Sequence, residues 1–129
     1  MPISKIRLAL VFYVLSVVLA SLLPGGGPSL WRIGKGLDVF TLVHFLAYSG
    51  MAVLALLSFG SRTARFLALL SAVGLGALLE WGQSFVPSRE MSLIDQIVNT
   101  LGVLSGALFF RFQGSALVDW LRSFFEQQA

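Results

Sequence analysis

An all-α membrane protein, with four transmembrane helices joined by short loops and an amphipathic C-terminal interfacial helix, is the fold class that three observations predict. Hydrophobic residues make up 57% of the 129-residue chain and charged residues only 12%, against about 25% charged in a soluble domain. Mean hydropathy is +0.86. The apolar residues gather into four long runs, each near the roughly 20 residues that cross a bilayer, separated by clusters of Gly, Pro, Ser and Arg.

The first run covers about residues 8–23 and stops at "PGGGP" (24–28), which cannot continue a helix. Its basic flank resembles a signal peptide, but the run exceeds the usual 7 to 15 residue signal core, so an uncleaved first span is expected. The next loop carries Trp31, Arg32 and Lys35 and leads to a second run at 37–59. "GSRTAR" (60–65) breaks the pattern; a third run at 66–86 ends at Pro87, and a fourth at 93–112 is closed by Gly114. Residues 1–114 thus form one transmembrane domain. In the tail, 115–129, Leu117, Trp120, Leu121 and Phe124 share one helical face, and Asp119, Arg122, Ser123 and Glu126 the other. A helix lying in the interface fits this pattern, as does one packed on the bundle.

The net charge of +3 comes from basic residues scattered along the chain, so nucleic acid is not expected as a partner. Lys5, Arg7, Arg62, Arg65, Arg111 and Arg122 fall on one side, Arg32, Lys35 and Arg89 on the other. Cytoplasmic loops retain positive charge, which predicts both termini inside. The absence of cysteine excludes disulfides and thiolate sites.

Polar residues interrupt the apolar runs in a pattern. At 1.5 Å per helical residue, His44 and Glu80 each lie about 10 Å from the end of their span and Asn99 about 9 Å; short antiparallel connections put all three on one level. Asp95, Asn99, Gly102 and Gly106 follow i, i+4, i+7, i+11 spacing, a single stripe. Gly76, Glu80 and Gln83 form a second stripe, and Thr41, His44 and Tyr48 a third. Three polar stripes are expected to face one interior, because an ionisable group at mid-helix costs roughly 2.5 to 3.5 kcal/mol on insertion scales and marks a function by default. The bland reading is interhelical hydrogen-bond glue for Asn99, Gln83 and Thr41, worth about 0.6 kcal/mol each, and a loop salt bridge for Arg89 and Asp95. Gly102 and Gly106 suit close helix packing.

The stretch "EWGQSFVPSREMSLIDQIVNTLGVLSG" (80–106), with "HFLAYSGMAVL" (44–54) upstream, resembles the VanZ-like membrane proteins. The likeness covers about residues 38–106. It implies that the family's marked positions fall on His44, Glu80, Gln83, Arg89, Asp95 and Asn99, followed by Gly102 and Gly106. One departure stands out: the family commonly carries an Asp-Lys pair just before the histidine, where this chain has Phe40 and Thr41, with its aspartate earlier at Asp38. The resemblance also implies a bacterial cytoplasmic membrane and a link to teicoplanin-type glycopeptide resistance, in an envelope where the drug's target is a lipid-anchored cell-wall precursor.

Three functions fit these residues. One is a site that binds or processes an anionic membrane lipid or cell-wall precursor headgroup, with Arg89 as bidentate phosphate donor, Gln83, Asp95, Asn99 and His44 orienting polar groups, and Glu80 as buried general base or as the residue that positions His44. Another is an enzyme using His44 and Glu80 as an acid and base pair. The last is a non-catalytic partner protein whose cluster only locks the helices; a proton-coupled transporter, relaying protons through Glu and His, fits less well, since the cluster sits at one end and no polar path runs through the inner half. Ser105 lies off the polar stripe and deeper than His44, which argues against a serine nucleophile. No cofactor and no metal are expected, since one histidine without cysteine does not make a typical zinc site; Glu80, Asp95 and Asn99 would at most offer oxygen ligands to a hard cation such as Mg²⁺.

Overall fold

In the computed structural model, which describes residues 3–24, 39–87 and 89–127, the chain is all-helical: α1 (Ile3–Leu22), α2 (Val39–Ser58), α3 (Arg62–Gln83) and α4 (Leu93–Glu126). All four helices are long and apolar enough to cross a membrane. Leu37, Asp38, Trp31, Arg32 and Lys35 lie outside the described residues.

Local chemistry sets the helix ends. Ser61 caps α3, its side chain accepting from the Ala64 N–H at 3.1 Å. α3 stops at Gln83, short of Pro87, as the chain tightens into i→i+3 hydrogen bonds through Ser84, Phe85 and Val86; proline disfavours helix in the residue before it. α1 begins at Ile3 and takes in the polar Ser4, Lys5 and Arg7, because the flank of a span remains helical beyond its apolar part.

Gly114, expected to close the fourth apolar run, does not end the helix: α4 continues unbroken from Leu93 to Glu126, and the tail is part of it. A lone helical glycine costs only about 1 kcal/mol relative to alanine, and here it has a packing role. The Phe110 ring lies over Gly114, where a Cβ would meet it at 3.2 Å, and the Arg65 guanidinium covers that ring at 5.3 Å. With 34 residues, α4 is about 51 Å long, well beyond a hydrocarbon core of about 30 Å. Trp120 stacks on Phe124 at 5.8 Å, and both are exposed.

α2 and α4 make the most extensive helix pair; α3 packs on both, and α1 against α2 and α3. The core cluster is Tyr48, Met51, Ala52, Ala72 and Val103. α1 is peripheral, with Ile6 alone buried, and is tied to α2 by the Tyr13 hydroxyl donating to the Ala47 carbonyl at 3.0 Å. Basic residues collect at one end of the bundle. Arg7 donates to the Ser58 carbonyl, Arg65 to the Phe59 carbonyl, and Lys5 sits over the Phe125 ring. Arg89 stands at the opposite end, beside the end of α1.

Candidate functional site

The polar stripes converge where α2, α3 and α4 meet near the α3–α4 turn. His44 Nδ1 lies 3.8 Å from Glu80 Oε1. One donor atom each from His44, Glu80 and Asp95 falls within 4.8 Å of the others. Equal depth for His44 and Glu80, expected from the spacing, is matched by this contact.

Ser92 explains how the two carboxylates are positioned. As N-cap of α4 it accepts the Asp95 N–H on its hydroxyl at 3.1 Å. In a capping box the acidic side chain three residues into the helix would return to the cap's own N–H. Here Glu80, from α3, takes that N–H instead: Ser92 N donates to Glu80 Oε2 at 3.1 Å. Glu80 thus anchors one oxygen at the positive end of α4, and the Asp95 carboxylate is left to face His44 and Glu80. Ser92→Ala should cost about 1 kcal/mol, as N-cap truncations do, read as a lowered unfolding midpoint in detergent. An unchanged midpoint would mean the cap is dispensable.

Burial is uneven, with His44 and Asp95 keeping partial exposure. Glu80 is 3% exposed and Asn99 1%. His44 Nδ1, Glu80 Oε1, Tyr48 Oη and Asn99 Oδ1 are buried without a hydrogen-bond partner among the described residues. The Arg89 Nε donates to the Leu23 carbonyl at 3.3 Å, and the guanidinium covers the Phe40 ring at 5.7 Å.

Beside this cluster, a largely apolar cavity of about 310 Å³ opens between α1 and α2. Tyr13, Val17, Phe40 and Ala47 help line it, and His44 and Arg89 stand in its wall. His44 therefore borders both the cavity and the acidic pair.

The remaining sequence-selected residues take other positions. The Gln83 amide donates to the Ser21 carbonyl at 3.2 Å, tying α3 to α1. Asn99 lies over Gly76, where a Cβ would stand 3.4 Å from its Nδ2 and 2.8 Å from Gln96 Oε1. Gly102 and Gly106 are buried against α2: a Cβ on Gly102 would come within 2.6 Å of the Phe45 carbonyl oxygen, and one on Gly106 would collide with the Ser49 carbonyl. Ser49 reinforces this contact by donating to the Gly102 carbonyl at 3.0 Å. Ser105 is exposed and lines a different groove, with Leu46 and Phe109. Asp38 lies outside the described residues.

Two participants escaped the sequence reading. Ser92 carries a legible signal, the S-x-x-D spacing of a cap ahead of an apolar run. Gln96, whose Nε2 donates to the Val73 carbonyl at 3.3 Å, falls one residue past Asp95 and off the stripe, so only the helix rotation reveals it.

Comparison with known proteins returns one finding about ancestry. A family model described as VanZ/LLP1 matches residues 3–115. Neither the curated proteins nor the solved structures contain a match to the chain.

Proposed function

The chain belongs to the VanZ/LLP1 family, and from that premise we propose that it is an envelope membrane protein whose polar cluster receives the anionic headgroup of a membrane lipid or lipid-linked cell-wall precursor. The observation that carries the reading is the apolar cavity between α1 and α2 with His44 and Arg89 in its wall. An apolar cavity suits an isoprenoid or acyl chain. Arg89 suits the phosphate, because guanidinium presents paired N–H donors to two oxygens at once, and its place over the Phe40 ring, 5.7 Å from the centroid, helps to hold it there. The crowding of Lys5, Arg7, Arg62 and Arg65 at the other end favours an orientation with the Arg89 end at the outer face, the leaflet in which a glycopeptide's target is displayed. The exposed Trp120 and Phe124 face of α4 then rests in the cytoplasmic interface.

A non-catalytic, bundle-locking cluster is the second reading. It is favoured by Glu80 accepting the Ser92 N–H and Gln83 bonding to α1, since both are helix-to-helix ties.

Thermal unfolding in detergent against isoprenoid phosphates, neutral isoprenoids and phospholipids separates the two. An isoprenoid phosphate should raise the midpoint as its concentration increases. Arg89→Ala should weaken that response by about tenfold, or 1.4 kcal/mol, with little change in the ligand-free midpoint. If no anionic lipid moves the wild-type protein, the headgroup site is wrong and the locking cluster stands.

A further inference from the structure

We propose that His44, Glu80 and Asp95 form a binding site for one divalent first-row transition cation, a proposal that does not depend on the lipid reading. From sequence alone, only oxygen ligands are expected for a hard cation, from Glu80, Asp95 and Asn99. The structure substitutes His44 for Asn99: the imidazole and the two carboxylates come together within 4.8 Å, and Asn99 packs over Gly76 instead.

Three features point to a ligand. First, the donor set is mixed. One imidazole nitrogen with two carboxylates, and no thiolate, suits ions of the manganese to zinc range better than magnesium or calcium, which take oxygen alone. Second, donor atoms are buried and unpartnered. Glu80 is 3% exposed, and both its Oε1 and the facing His44 Nδ1 lack hydrogen-bond partners among the described residues. Buried polar atoms normally find partners, and these two face each other at 3.8 Å, beyond hydrogen-bonding distance. Donors sharing one cation at about 2.1 Å stand about 3 to 4 Å apart, so the 4.8 Å within which the three ligand atoms fall has to contract by about 1 Å on binding. Third, the other Glu80 oxygen is already fixed by the Ser92 N–H, the kind of outer-shell bond that orients a metal-binding carboxylate.

Charge supports the same assignment. Two carboxylates side by side in an apolar bundle repel each other, and a divalent ion cancels both. A protonated imidazole cancels one, and Arg89 is held away on Leu23 and Phe40.

The test uses Mn²⁺ itself, without lipid. Protein purified in detergent, stripped with chelator and re-equilibrated with Mn²⁺, is expected to keep about one manganese per chain after desalting and to melt later as Mn²⁺ is raised. Pulsed electron paramagnetic resonance should show nitrogen coupling from His44, lost in His44→Ala. Asp95→Asn should lower the Mn²⁺ affinity by about tenfold or more. It leaves the backbone cap to Ser92 intact, so a folding defect does not obscure the result. Glu90→Gln, on an exposed residue outside the cluster, should bind as wild type does. Wild-type retention no greater than that of Asp95→Asn, or bound manganese without nitrogen coupling, overturns the site. Failure of the lipid titration leaves it untouched.

Discussion

Gly106→Val is expected to be among the most damaging single substitutions in the bundle, lowering stability by about 3 kcal/mol, the upper end of what overpacking costs. A Cβ at this position collides with the Ser49 carbonyl and stands 3.0 Å from Ala52 Cβ. Neither can yield: one is backbone within α2, and Ala52 is fully buried. Relief requires separating α2 from α4, the most extensive helix pair, which would also break the Ser49 hydrogen bond to Gly102. Gly74 supplies the control, since a Cβ there meets nothing within 4 Å. Gly74→Ala should be neutral or stabilising by up to about 1 kcal/mol, through helix propensity. Unfolding of both variants in detergent or a denaturant series checks the pair. Equal midpoints would mean that the α2–α4 contact does not hold the fold.

Glu80→Ala should cost about 3 kcal/mol, whereas Glu80→Gln should cost under about 1.5 kcal/mol. Alanine removes the acceptor for the partly buried Ser92 N–H and the partner facing His44, and breaking a buried pair from one side leaves the other member uncompensated. Glutamine keeps a carbonyl oxygen for the Ser92 N–H and fills nearly the same volume, so the α3–α4 connection holds. It removes the charge that a cation or a proton transfer would need. A folded Glu80→Gln protein without Mn²⁺ binding separates the chemistry of Glu80 from its structural tie. If both variants melt alike, the Ser92 bond contributes little, and Glu80's position has another cause.

The site was partly legible in the sequence. Equal depth for His44 and Glu80 follows from helical rise and short antiparallel connections, and their contact agrees with it. Depth is an axial coordinate, however, and a ligand set also needs rotation about each helix. Asn99 shares that level and nonetheless packs over Gly76. Asp95, near the start of α4, turns to His44 because Glu80 has taken the cap N–H that Asp95 would otherwise reach. Gln83 continues the Glu80 stripe, yet its amide finds α1, a helix with no polar stripe to announce it.

By itself the sequence determined the all-helical class, the four spans and the clustering of polar residues, since each rests on transfer free energy summed along a segment and needs no partner helix. Tertiary structure decided what summation does not reach. Gly102 and Gly106 let the α2 backbone approach, and that approach sets the rotation of α4 against α2. Phe110 lies over Gly114, Arg65 covers the Phe110 ring, and the helix runs on to Glu126. Which of the polar residues become neighbours is settled by those contacts, because side chains meet in the cross-section of the bundle while sequence spacing measures distance along it.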